Sequence, residues 1–152
     1  MSKITSSIWS IDPHTEAKHD ILRKYLDAWL PIITRWNGRV LYIDGFAGPG
    51  EYIGGKDGSP IIAIKAFCEH KANLQAEIIM LFIEADRERC DFLKRKIQTI
   101  KVPSNIKTIC ECAKFDEKLI EILEIIDTQK TNLAPAFVFI DPFGFTGFPF
   151  SL

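Results

Sequence analysis

The stretch Arg39-Val-Leu-Tyr-Ile-Asp-Gly-Phe-Ala-Gly-Pro-Gly50 decides the fold of the 152-residue chain. Val40 to Ile43 predicts a buried strand, because the run is short, apolar and rich in β-branched and aromatic side chains. Asp44 would stand at the carboxyl end of that strand, and the glycines after it remove side chains where a ligand would lie against the backbone. Ligands of open α/β sheets bind outside the carboxyl ends of the strands, so we expect a cofactor at this loop.

The loop discriminates between three classes of cofactor. It lacks the Gly-Lys-Ser/Thr ending of a P-loop, which counts against a nucleoside triphosphate. A dinucleotide would need a small residue where Ile53 stands, and a strand-ending acid about 20 residues further on, where none is found. S-adenosylmethionine fits better, because it carries positive charge and no phosphate, and Asp44 would attract it. A glycine turn that binds nothing is the alternative.

Two further acids follow predicted strands. Glu77 to Glu84 is almost continuously apolar between its ends, as parallel strands buried on both faces are, and Ala136 to Ile140 is a similar run that leads to Asp141. Because parallel strands end at one edge of the sheet, Asp44, Glu84 and Asp141 should meet there. The alternatives are an exposed acid at a strand end for Glu84 and an Asp-Pro turn without catalysis for Asp141.

Three motifs carry a resemblance to a known family: Asp44 to Tyr52, Gly58-Ser59-Pro60, and Phe139-Ile-Asp-Pro-Phe-Gly144. Together they resemble the three-Cys-motif partner protein family (TcmP), which is similar to class I S-adenosylmethionine-dependent methyltransferases. The first motif also resembles the corresponding loop of the ribosomal-RNA adenine-N6 methyltransferases. The resemblance extends from about Lys18 to Leu152. It implies an α/β, Rossmann-like class I methyltransferase fold, of which the chain is the N-terminal part, with about four parallel strands and flanking helices.

The resemblance also implies which residues bind the cofactor. In those methyltransferases an acid at the end of the second strand accepts both ribose hydroxyls, which points to Glu84, and the adenine contact lies just past the third strand, at Cys112, Ala113 or Lys114. Glu51 to Asp57 is interpreted as a flap or, equally, as a surface loop. The predicted cofactor-binding residues are Asp44, Gly45, Phe46, Ala47, Gly48, Gly50, Tyr52, Glu84 and Cys112.

The catalytic assignment is Asp141, Pro142, Phe143 and Gly144. This stretch resembles the Asp-Pro-Pro-Tyr motif of amino-methyltransferases, in which the acid and the proline carbonyl accept hydrogen bonds from an exocyclic amine. Phe143 would stack on a nucleic-acid base. The resemblance therefore implies methyl transfer to a base amine. The alternative function is a non-catalytic assembly partner of a three-Cys-motif protein, and a nicotinamide oxidoreductase is a third hypothesis.

Lys18 and His19 match a Lys-His pair near the start of the family pattern. They either reach toward cofactor or substrate or form a solvated first helical turn, and we favour the solvated turn because histidine is often a polar surface residue. The helix that contains them should begin at Asp12-Pro13 and pack on the sheet through Ile21, Leu22, Tyr25, Leu26, Trp29 and Leu30.

Composition limits the function classes. With 47% hydrophobic and 26% charged residues the chain is typical of one soluble domain, which we place at 1–152, incomplete at its C-terminus and with 1–11 as a loose arm. No run is apolar enough to span a bilayer, so we expect a cytoplasmic protein. The net charge of −1 gives no general attraction to nucleic acid, although a local basic patch would suffice.

The cysteines and the last residues complete the predictions. The four cysteines form no Cys-x-x-Cys pair, so we expect reduced thiols and no metal site. The fourth strand would be an uncovered edge close to several phenylalanines, from Phe143 to Phe150, which predicts self-association through that strand.

Overall fold

Four parallel strands form one sheet in the computed structural model, which describes residues 10–142. Across the sheet the strand order is β3-β2-β1-β4. The strands alternate along the chain with helices, and the elements are α1 (Pro13–Trp36), β1 (Arg39–Asp44), α2 (Ser59–Cys68), β2 (Glu77–Glu84), α3 (Arg87–Gln98), β3 (Ile106–Cys112), α4 (Phe115–Gln129) and β4 (Ala136–Phe139). The predicted Rossmann-like α/β fold with about four parallel strands and flanking helices is confirmed.

Side chains cap α1 and α3, whereas α2 and α4 begin without a side-chain capping hydrogen bond. Asp12 accepts a hydrogen bond from the Thr15 N–H at 2.8 Å, and Pro13 opens α1. Asp86 caps α3 in the same way. At α2 the Ser59-Pro60 pair predicts a serine cap. This prediction is wrong, because Gly58 caps the helix through its backbone and the Ser59 hydroxyl bonds Asp44 instead.

The strand register brings the predicted acids to one edge of the sheet. Asp44 is level with Phe82 of β2 and with Phe139 of β4. Glu84 lies two residues beyond that level and pairs with Cys112 of β3. Asp141 follows β4 by two residues, so all three acids lie at the carboxyl edge, as the sequence predicts.

The two faces of the sheet are covered unequally. Helices α1, α2 and α3 pack on one face and form the main core, whose buried members include Leu22, Leu26, Leu30, Tyr42, Ile61, Ile64, Ile78, Met80, Phe82 and Leu93. On the other face Phe115 of α4 packs with Ile43 and Ile83 in a small cluster. A largely apolar cavity of about 220 Å³ lies between this face and α4.

Some apolar side chains predicted to face the core do not. Ile21 and Tyr25 of α1 are exposed, although Leu22, Leu26 and Leu30 are buried as expected. Leu123 of α4 is also exposed, contrary to the inward orientation that its spacing predicts. The apolar stripe of α1 is wider than the surface that the sheet and α2 can cover, so part of it faces outward. Within residues 10–142, no helix is long and apolar enough to cross a bilayer.

The core contains one polar defect, the hydroxyl of Tyr42. The Tyr42 ring is fully buried and stacks on Phe137 with centroids 5.8 Å apart. Its oxygen has no hydrogen-bond partner among the described residues. A buried polar group without a partner costs about 1–3 kcal/mol.

We expect Tyr42→Phe to raise the free energy of unfolding by about 1 kcal/mol, because it removes the unpaired hydroxyl and keeps the packed ring. Tyr42→Ala, the control for packing, should lower it by about 3–5 kcal/mol. Urea denaturation followed by circular dichroism measures both. A loss of stability in the Tyr42→Phe variant would mean that the hydroxyl has a partner and the prediction is wrong.

Candidate functional site

Asp44 is the centre of the candidate site. Its carboxylate is completely buried, accepts a hydrogen bond from the Ser59 hydroxyl at 2.5 Å and receives the Phe46 N–H at 3.3 Å. Burial raises the pKa of Asp44 to about 7, against the effect of these two hydrogen bonds, and the charges of Asp141 and Glu84 raise it further. The group therefore changes charge near neutral pH, and a cation bound beside it would favour its ionised form.

Glu84 is fixed by donors from three directions. Its carboxylate receives the Gly48 N–H at 2.8 Å, the Asp86 N–H at 2.8 Å and the Arg89 side chain at 3.0 Å. An ionised carboxylate has about four acceptor sites, so one remains for a ligand hydroxyl. Acceptance of both ribose hydroxyls, as predicted, would require Arg89 to withdraw.

The backbone N–H groups of residues 45–48 in the glycine loop donate hydrogen bonds to acceptors within the protein. Gly45 donates to the Phe139 carbonyl at 3.0 Å and Ala47 donates to the Ile83 carbonyl at 2.9 Å. Phe46 and Gly48 donate to the carboxylates of Asp44 and Glu84, respectively. Phosphate-binding loops depend on backbone N–H groups that point at the ligand. Four successive N–H groups of this loop have internal partners, so the loop is poorly suited to bind phosphate.

Close packing inside the protein explains two of the glycines. A Cβ at position 45 would lie 2.6 Å from the Phe115 ring, and one at position 50 would lie 2.7 Å from a Leu93 methyl. Gly50 also has a φ of +81°, which side-chain-bearing residues rarely adopt. The loop therefore packs tightly on α3 and α4. This packing requires glycine at positions 45 and 50 whether or not a ligand binds.

His19 and Tyr52 are both buried, and their rings lie beside one another. His19 is only 7% exposed, and its ring centroid is 5.8 Å from that of Tyr52. The Nδ1 atom of His19 is buried and has no hydrogen-bond partner in the described part of the chain. Burial lowers the pKa of His19, with the charge of Asp141 opposing this effect. The favoured interpretation of a solvated first turn is therefore wrong for His19.

The predicted flap, residues 51–57, forms a compact turn. Glu51 and Asp57 pair as an antiparallel bridge, and Lys56 and Tyr52 are joined by a backbone hydrogen bond of 2.8 Å. Tyr52 is buried beneath this turn. Burial raises the pKa of Tyr52 to about 12, and the nearby charge of Asp141 adds to the effect. Tyr52 is thus a buried member of the turn and a neighbour of His19.

Asp141 is held by Lys18. The Lys18 Nζ lies 2.7 Å from the Asp141 Oδ1, and the Lys18 side chain is half exposed. A nitrogen donor therefore already reaches this carboxylate, whose side chain is 25% exposed. Pro142 follows directly, whereas Phe143 and Gly144, the other predicted catalytic residues, lie outside the described residues.

At the end of β3, Cys112 forms a disulfide with Cys90 of α3. The expectation of reduced thiols is wrong for this pair, because β3 and α3 bring the two Cα atoms to 5.6 Å from one another. The two other cysteines, Cys68 and Cys110, are free. Cys112 neighbours Glu84 in the sheet, and its sulfur is bonded to Cys90.

Three side chains outside the predicted site residues contribute to the site. The Ser59 hydroxyl bonds Asp44, the His19 ring lies beside Tyr52, and Arg89 pairs with Glu84. A signal for Arg89 existed, since a cation one turn into a helix that follows a strand-ending acid is within reach of that acid. Among residues 10–142, no group of three or more His, Cys, Asp or Glu side chains is arranged to hold a metal ion.

Comparison with known proteins assigns no family to this arrangement. A scan against protein-family models finds no match, and a search of curated proteins finds no significant relative. The resemblance to the TcmP family therefore stays a prediction from the motifs.

Reduction of the Cys90–Cys112 disulfide should lower the free energy of unfolding by about 3 kcal/mol, because the bond spans 22 residues and restricts the unfolded chain. Urea denaturation with and without dithiothreitol measures the effect, and Cys90→Ala/Cys112→Ala should reproduce it. Cys68→Ala is the control, and dithiothreitol should destabilise this variant as much as the natural chain. Equal stability with and without dithiothreitol would indicate that the thiols are already reduced, as the sequence predicts.

Proposed function

We propose that the protein binds S-adenosylmethionine at the carboxyl edge of its sheet and directs a methyl group to an exocyclic amine of a nucleic-acid base. The observation that carries this proposal is the meeting of Asp44, Glu84 and Asp141 around a loop whose N–H groups have internal partners. Such a site favours a ligand with positive charge and hydroxyl groups over one with phosphates.

The residues present fit this cofactor. The buried carboxylate of Asp44 suits a cationic group, and the remaining acceptor site of Glu84 suits a ribose hydroxyl. The unpartnered Nδ1 of His19 suits a polar group at the amino-acid end of the ligand, since a buried nitrogen without a hydrogen bond costs free energy that a ligand would recover. Tyr52 closes the site beside His19.

Asp141 is the residue that we propose to receive the substrate amine. Its carboxylate accepts a nitrogen donor at 2.7 Å from Lys18, and an amine in that position would form the same hydrogen bond. Lys18 is 52% exposed, so it can turn into solvent when the substrate binds. When bound, S-adenosylmethionine would supply an electrophilic methyl group. Asp141 and the Pro142 carbonyl would orient the lone pair of the amine, and positioning of this kind accounts for much of the rate in such reactions.

The Lys18–Asp141 ion pair also favours a second candidate function. If the pair persists when ligands bind, Asp141 is not available to a substrate, and the chain would act as a non-catalytic assembly partner of a three-Cys-motif protein. Methyl transfer to a substrate separates the two functions, because the second predicts cofactor binding at most.

We expect the affinity for S-adenosylmethionine to rise with pH between about 5.5 and 7, by up to tenfold per unit, because Asp44 must ionise to bind a cation. The pKa of Asp44 is raised on folding from 3.8 to about 7, so its contribution to the free energy of unfolding should fall between those two pH values, since the folded state retains the proton longer. His19, whose pKa is lowered by burial, contributes in the opposite direction below its ordinary pKa of 6.5. Asp44→Asn should remove the pH dependence of binding and the Asp44 part of the pH dependence of stability. Isothermal titration of the full chain measures the affinity, with NAD as the control ligand; tighter binding of NAD would contradict the proposal.

Asp141→Ala should leave the affinity for S-adenosylmethionine within about threefold and reduce methyl transfer to RNA or DNA oligonucleotides by at least about a hundredfold, because it removes the group that orients the amine. Asp116→Ala, at an exposed acid of α4, is the matched control and should retain activity. Unchanged transfer by the Asp141 variant would refute the catalytic assignment, whereas binding without transfer in the natural chain would support the assembly function.

A further inference from the structure

Three sulfur atoms lie together where helix α3 meets the end of strand β3. Cys90, in the first turn of α3, is bonded to Cys112, the last residue of β3. The free thiol of Cys110, two residues earlier on the same strand, lies 3.9 Å from the Cys90 sulfur. A bond that served only to hold α3 on β3 would need two cysteines, so the third sulfur suggests chemistry at this position.

The two bonded cysteines differ in their access to solvent. Cys90 is completely buried, whereas Cys112 is exposed. In thiol–disulfide exchange a thiolate attacks one sulfur of the bond, and the other sulfur leaves. A thiol from solvent can therefore attack the Cys112 sulfur but cannot reach the Cys90 sulfur, which becomes the leaving group.

The surroundings of Cys90 favour the departure of its sulfur. Because Cys90 is bonded to Cys112, the Cys110 thiol is the donor in the contact between Cys90 and Cys110. Burial raises the pKa of Cys110 to about 11, which keeps this donor protonated. The first turn of a helix also stabilises a thiolate through its backbone N–H groups. These two features offset the cost of a buried charge on the departing sulfur.

We propose that Cys112 is a modification site at which a small thiol opens the Cys90–Cys112 bond, and that this opening controls the ligand acceptor sites of Glu84. The thiolate of the small molecule forms a bond to the Cys112 sulfur, the Cys90–Cys112 bond breaks, and the Cys90 sulfur leaves as a thiolate that takes up a proton. A second small thiol then displaces Cys112 from the mixed disulfide. In total, two small thiols are oxidised to one disulfide, and the protein disulfide is reduced to two thiols.

The disulfide is connected to Glu84 through both of the elements that it joins. On β3, Cys112 is the register partner of Glu84, and the Ala113 N–H donates to the Glu84 carbonyl at 3.1 Å. On α3, Arg89 directly precedes Cys90, and its guanidinium lies 3.0 Å from the Glu84 carboxylate. The closed bond thus holds the first turn of α3, together with Arg89, against the acid.

Opening of the bond should make a second acceptor site of Glu84 available. Among the described residues three donors occupy the carboxylate in the closed form, and two of them are the backbone N–H groups of Gly48 and Asp86. The third, Arg89, is a long side chain that can turn away once α3 is no longer bonded to β3. Glu84 could then accept both hydroxyls of a ribose. This step rests on the proposed function, whereas the exchange reaction at Cys112 does not.

Mass spectrometry of the full chain after treatment with reduced glutathione and quenching with acid tests the modification site. We expect a mixed disulfide on Cys112, followed by complete reduction of the bond. Cys110→Ala should slow the reaction by about threefold, because it removes the donor to the departing sulfur. Cys68→Ala, at the other free cysteine, is the matched control and should leave the rate unchanged. A mixed disulfide on Cys90, or a bond that glutathione leaves closed while the chain is folded, would overturn the proposal.

Titration with S-adenosylmethionine tests the connection to Glu84. Reduction by dithiothreitol should raise the affinity by at least about tenfold, which is the effect of one additional hydrogen bond to a charged group. Cys112→Ser cannot form the bond and should bind as tightly as the reduced chain, with or without dithiothreitol. Arg89→Ala should also bind tightly in both redox states, because it removes the group that the closed bond holds on Glu84. Circular dichroism should show that each form is folded during the titration.

The outcomes separate this inference from the proposed function. Absence of binding in both redox states would refute the proposed cofactor and, with it, the control of its binding, whereas a mixed disulfide on Cys112 would still support the modification site. Equal affinity of the oxidised and reduced chains, with the bond shown by mass spectrometry to be open in the second, would overturn the control of Glu84 while the proposed cofactor stands.

Discussion

The buried carboxylate of Asp44 is the constraint on which the site depends. A charge that is completely removed from water is tolerated only with hydrogen bonds or with a raised pKa, and Asp44 has both. Ser59, whose hydroxyl donates a hydrogen bond to the Asp44 carboxylate, is the first residue of α2. The same bond therefore positions the helix that follows the loop after β1. Glu84 performs the equivalent task for β2, since it binds the loop at Gly48 and α3 at Arg89.

Much of the fold follows from local signals in the sequence. Short apolar runs that end in an acid predicted β1, β2 and the approach to Asp141, and Asp12 and Asp86 marked two helix starts correctly. These signals work because strand burial and capping depend on neighbouring residues. The prediction of a Ser59 cap failed because a hydroxyl at a helix start can cap the helix or bond elsewhere. Here it bonds Asp44, which is 15 residues away in the sequence.

The burial of His19 and the pairing of Cys90 with Cys112 depend on tertiary contacts. The helical period of α1 places His19 near the buried face, but Tyr52, 33 positions later in the chain, is what covers it. A disulfide requires two Cα atoms at a suitable distance, and spacing in sequence does not provide that distance. The same limit applies to α1, where six apolar positions predicted one packed stripe and the structure leaves Ile21 and Tyr25 exposed.

The internal partners of the loop N–H groups have a consequence for selectivity among the nucleotides of a cell. Specificity is a difference between affinities, and a site can gain it by making unfavourable interactions with the wrong ligand. A di- or triphosphate brought to this edge would find its oxygens facing Asp44 and Glu84, with the N–H groups of residues 45–48 already engaged. Abundant adenine nucleotides share an adenosine group with the proposed cofactor, so rejection of their phosphates would protect the site from competition without any contact that recognises the adenine ring.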